Sequence, residues 1–127
     1  MFQPDLTNTG GITEEKKIAG LAEADHVDIV PHNPQASVVG AIYSHFCNSI
    51  PNFRILEMFQ TYDADWVDDL LVDPVEVESG YVQMPEGPGY GIELNHDIVR
   101  EHEHTEDSVH TINLSETDWE KREVQRR

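Results

Sequence analysis

Val27-Asp28-Ile29-Val30-Pro31-His32-Asn33-Pro34 leaves this chain few ways to fold. Val27, Ile29 and Val30 form a short apolar run of β-branched side chains, the composition of a buried parallel strand. Pro31 cannot donate to a sheet ladder, so the strand ends there. His32 follows at once. A histidine just past the carboxyl end of a buried strand sits where open sheets and β/α barrels place their chemistry.

Two acids repeat the placement. Asp5 follows Phe2-Gln3-Pro4, and Glu57 lies in the apolar run 53–59. By period two, Phe53, Ile55, Glu57 and Phe59 share one face. An acid among three large apolar residues is costly unless it is paired or functional. Asp5 and His32 are 27 residues apart, and His32 and Glu57 are 25 apart. Each gap holds one helix and two loops, so the reading is strand, helix, strand, helix, strand.

The first helix follows the Thr9-Gly10-Gly11 turn, with Thr13 expected as its N-cap and Glu14 and Glu15 in its first turn. Ile18, Leu21 and Ala22, with Ala19 beside them, form its expected apolar stripe. The paired glycines read as a plain turn, because two acids at the helix start oppose anion binding. The second helix is expected from about Ser37 to Ser49, with Val38, Ala41, Ile42 and Phe46 as its stripe and His45 and Cys47 as packing residues. Pro51 ends it.

Beyond the third strand, Asp63, Asp65, Asp68 and Asp69 surround Trp66 and Leu70-Leu71, the pattern of a short amphipathic helix with an acidic outer face. From Asp73 the pattern alternates, and short antiparallel strands are expected around the turn Glu78-Ser79-Gly80. Residues 95–127 read as a polar tail without periodicity, its histidines solvated and Trp119 and Val124 its candidate anchors.

The 127 residues allow one domain at most. The net charge of −17 argues against nucleic acid and anionic membranes as partners, and fits a salt-rich cytoplasm that screens self-repulsion. No run of eighteen apolar residues or signal-peptide pattern is present. Cys47 is alone, which fits a reducing, cytoplasmic setting.

Gln3-Pro4-Asp5, Gly10-Gly11-Ile12-Thr13-Glu14, Pro31-His32-Asn33-Pro34, Glu57 and Gly87-Pro88-Gly89-Tyr90-Gly91-Ile92-Glu93 together resemble the C-terminal part of the enolase superfamily, in its mandelate racemase-like branch of sugar-acid dehydratases. The resemblance implies an α/β fold: the last three β/α units of a (β/α)8 barrel over 1–72, a segment over 73–99 returning toward a capping domain, and a polar tail over 100–127. It also implies Mg2+-dependent dehydration of a sugar acid. Asp5 and His32 would be the catalytic dyad, with His32 as general base. Glu57 would complete the catalytic set and, with Asn33, contact the substrate. The family's metal-binding carboxylates lie on earlier barrel strands, so no metal ligand is expected here. A whole barrel needs about 200 residues. The missing part is therefore expected in cis or in trans, and the chain alone is expected to be inactive. Family members are often homo-oligomers. A racemase or epimerase of the same superfamily, a catalytically dead remnant and an interaction module that completes a split barrel are the alternatives.

Overall fold

Three segments lie side by side in parallel, bridged at Phe2 to Ile29 and at Ile29 to Phe53. The Ile29 segment is central, as its β-branched run requires, and Ile29 is fully buried. The ladder extends to the segment ends. His32 N donates to Pro4 O at 2.9 Å, and Glu57 N donates to Pro31 O at 3.3 Å. Each proline thus contributes only its carbonyl. The computed structural model describes residues 1–35, 37–58 and 66–103.

Helices fill both gaps. A single turn, α1 (Leu6–Thr9), follows the first segment. Gly10 then caps it at φ 104°, and α2 (Ile12–Ala24) begins directly after Gly11 at φ 84°. Two left-handed residues in succession let α2 reverse against α1, a task glycine performs without steric cost. The N-cap of α2 is Gly11 and not Thr13, and no side chain caps it. The buried stripe of α2 is Glu15, Ala19 and Ala22, one register step from the expected one, and Leu21 is 73% exposed.

The second helix, α3 (Val38–Asn48), matches its expected span. It buries Ala41, Tyr43, Phe46 and Cys47, whereas Ile42 only edges the core. Leu6, Ala19, Ala22, Ile29, Tyr43, Phe46 and Cys47 form the main core. Phe53 and Ile55 stand exposed on the outer segment.

The remainder is short and irregular. A 3-10 turn at Asp68–Leu70 is the described part of the expected amphipathic helix. Strands β1 (Val77–Glu78) and β2 (Tyr81–Val82) pair as the expected hairpin. Its loop residues Ser79 and Gly80 both have positive φ, the signature of a type I′ turn. Leu71 bridges Leu94 antiparallel, and Leu71, Val75 and Ala41 make a second small cluster. The polar tail does not start unstructured: α4 (His96–Glu101) crosses the expected 99/100 boundary. Asn95 caps it by accepting from Asp97 N and Ile98 N, and His102 stacks on Trp66 with ring centroids 4.1 Å apart. The expectations for Phe59, His104, His110, Trp119 and Val124 fall outside the described residues. Among those described, no helix is long and apolar enough to cross a membrane.

Two glycines give opposite expected results. At Gly91, φ is +67° and an added Cβ would meet the Pro85 carbonyl carbon at 2.8 Å. Gly20, inside α2, has nothing within 4 Å of the same atom. Gly91→Ala is expected to destabilise the chain by more than about 1 kcal/mol. Gly20→Ala is expected to stabilise it by about 0.5–1 kcal/mol. Denaturant titration followed by circular dichroism reads both, and the same sign at both positions would contradict the backbone assignment.

Candidate active site

Asp5 ends the first segment and caps α1. Its Oδ1 accepts from Thr7 N at 2.8 Å and from the Thr7 hydroxyl at 2.6 Å. Its Oδ2 lies 2.9 Å from His32 Nδ1. Burial alone would raise this carboxyl, but the Thr7 hydroxyl, His32 and the Thr7 N–H together outweigh it and bring the pKa down to about 2. Asp5 is therefore ionised and can only accept. The shared proton sits on His32 Nδ1, and the lone pair of neutral His32 is left on Nε2.

The other face of the ring points to the third segment. His32 Nε2 is 3.8 Å from Glu57 Oε2, beyond hydrogen-bond length. Gln3 Nε2 donates to the same oxygen at 3.0 Å, so a side chain from the first segment fixes one from the third. The His32 side chain is 41% exposed and the Asp5 side chain 11%. The arrangement is an open imidazole nitrogen with a buried, charged orienting group behind it, which is what a general base requires. Gln3 is not among the expected site residues; the signal that could have found it is its place two residues before Asp5, on the same face of an extended segment.

Asn33 lies elsewhere. It is fully buried, and its side-chain amide has no hydrogen-bond partner among the described residues. An added Cβ at Gly40 of α3 would come within 3.9 Å of its Nδ2. Both polar atoms of the Asn33 amide are thus buried and, among the described residues, unpartnered, near Gly40 of α3. A cleft of about 440 Å³, lined by Cys47, Phe53, Ile55, Leu56 and Tyr81 among others, includes neither Asp5, His32 nor Glu57. Among the described residues, no three His, Cys, Asp or Glu side chains are grouped so as to hold a metal ion.

Buried Glu15 and Tyr43 stand behind the site. The Tyr43 hydroxyl accepts from Leu6 N and lies 3.2 Å from both Glu15 Oε1 and the His32 carbonyl oxygen. Neither residue is among the expected site residues. The pattern did contain Glu15: extending the stripe back from Ala22 and Ala19 by helical spacing lands on it.

The chain has relatives among known proteins. Residues 1–98 match the family model described as Enolase C-terminal domain-like. The chain is 34% identical over 102 residues to a D-gluconate dehydratase of Thermoproteus tenax, covering 80% of this chain and 20% of that protein. It is 32% identical over 102 residues to a D-xylonate dehydratase of Haloferax volcanii, covering 80% and 24%. A crystal structure of a mandelate racemase/muconate lactonizing enzyme from Jannaschia sp. superposes with a TM-score of 0.71 at 37% identity, covering 81% of this chain and 26% of that one. The chain thus spans a fifth to a quarter of the length of the curated relatives. The parallel segments, the helices between them and these matches agree: the chain belongs to the enolase C-terminal domain-like family, whose fold is an α/β barrel of the TIM type.

Proposed function

We propose that this chain supplies the last three β/α units of a (β/α)8 barrel and carries on them the base of a sugar-acid dehydratase. The observation that carries this reading is the His32 ring, held by Asp5 at Nδ1 with Nε2 turned toward Glu57 across 3.8 Å. His32 Nε2 takes the proton from the carbon next to the substrate carboxylate. The hydroxyl on the neighbouring carbon then leaves as water, carrying the proton returned by the imidazolium, and the resulting enol tautomerises to a 2-keto-3-deoxy acid. The imidazolium formed in the first step lies between the Asp5 and Glu57 carboxyl groups. Glu57, anchored by Gln3, contacts the carboxylate side of the substrate.

The family implies a divalent metal, Mg2+. The described residues do not form its site. Since the relatives are four to five times longer than the matched region, turnover belongs to the complete barrel, whether in one chain or two. The test is formation of keto-deoxy acid from gluconate, galactonate or xylonate, with magnesium supplied. It is expected only when residues 1–98 are joined to, or co-assembled with, the rest of a barrel. Product from the 127-residue chain alone, or epimerised substrate without water loss from the complete barrel, would overturn the reading.

A further inference from the structure

Glu15 is a fully buried carboxyl in a core that gives it one hydrogen bond. Its Oε2 has no partner among the described residues, and no described salt bridge reaches it. Four titratable groups face it or border its pocket: Asp5 before α1, His32 at the central segment end, and Tyr43 and Cys47 on α3. None supplies a paired cation. Lys16 and Lys17 reach outward, to Ser49 and Glu14.

The one partner is the Tyr43 hydroxyl, which has one hydrogen to give and two acceptors at 3.2 Å, Glu15 Oε1 and His32 O. It also accepts from Leu6 N, the residue after Asp5. A single oxygen thus joins the backbone of both dyad segments. If Glu15 carries a proton, it donates to Tyr43, and the Tyr43 hydrogen is free for the His32 carbonyl. If Glu15 is ionised, it can only accept, so it takes that hydrogen and the His32 carbonyl loses it.

We propose that Glu15 and Tyr43 form a positioning brace behind the Asp5–His32 pair, in which the proton on Glu15 decides whether the Tyr43 hydroxyl holds the carbonyl of His32. The brace builds on the reading of Asp5 and His32 as the base pair, but its test does not depend on turnover. Burial, opposed by the Tyr43 hydrogen bond and reinforced by the Asp5 charge, raises the Glu15 carboxyl to about 7, so both brace states fall in an accessible pH range. Tyr43 itself is pushed far above its ordinary value by burial and stays un-ionised.

The experiment is a pH titration of the full chain by NMR. It follows the Glu15 side-chain carbonyl carbon, the His32 ring and the His32 backbone carbonyl carbon as separate signals. In the wild type the His32 backbone carbonyl is expected to move in two components, one tracking its own ring and one tracking Glu15. Glu15→Gln, nearly isosteric, is expected to remove the second component alone. Tyr43→Phe is expected to leave Glu15 titrating while the His32 carbonyl no longer follows it, which separates a hydroxyl relay from a through-space charge effect. A His32 carbonyl that tracks only its own ring in the wild type, or a Glu15-linked component that survives in Tyr43→Phe, would overturn the brace. Absence of dehydratase activity in the complete barrel would overturn the functional reading and leave this result standing.

Discussion

His32→Ala, in a complete barrel enzyme carrying residues 1–98, is expected to lower turnover by about 10²–10⁴-fold, the usual contribution of a positioned general base. The expectation follows from the open Nε2 and the ionised Asp5 at 2.9 Å from Nδ1. Because Asp5 keeps its bonds to Thr7, the truncation removes the base without dismantling the α1 cap. The substrate KM is therefore expected to change much less than kcat. Steady-state assay of keto-deoxy acid formation checks this. Wild-type turnover in the variant would remove His32 from the mechanism.

Glu15→Gln is expected to stabilise the chain by about 3 kcal/mol at pH 8 and by almost nothing at pH 4.5. The sign follows from linkage. The Glu15 carboxyl rises from 4.5 to about 7 on folding, so the folded chain binds the proton more tightly than the unfolded chain. Stability falls as pH rises from about 4.5 to about 7 and is flat in this group's contribution above that. Glutamine removes the titration, so the gain appears only where the wild type has lost ground. Asp5 acts in the opposite sense. Its carboxyl falls from 3.8 to about 2, so its contribution is intact above 3.8 and is lost as pH falls through 2. Urea titration of both proteins at the two pH values reads the difference. An equal effect of Glu15→Gln at both would contradict the buried, proton-holding assignment.

How much of this was legible depends on the physical scale of each signal. The central segment was, because Val27, Ile29 and Val30 could satisfy themselves only inside a sheet and Pro31 marks its end. The spacing of Asp5, His32 and Glu57 was legible for the same reason, as each sits near the end of a recognisable run. The start of α2 was misread because the glycine pair does the turning and leaves Thr13 inside the helix. Its buried face was misread because Glu15 looked like a favourable first-turn acid, whereas tertiary contact with Tyr43 draws it into the core. Asn33 is buried with its amide unpartnered among the described residues, a placement that sequence adjacency to His32 does not fix. Helix α4 was missed because Asn95 and the Asp97–Arg100 pair are local signals in a stretch with no apolar stripe.

The tautomer of His32 is the observable closest to the claim that this chain carries a base. Nitrogen NMR of the histidine-labelled chain, with the ring neutral, distinguishes the two ring nitrogens directly. Hydrogen on Nδ1 and a bare Nε2 is the predicted result, since ionised Asp5 can only accept. Hydrogen on Nε2, with Nδ1 bare beside Asp5, would contradict the account.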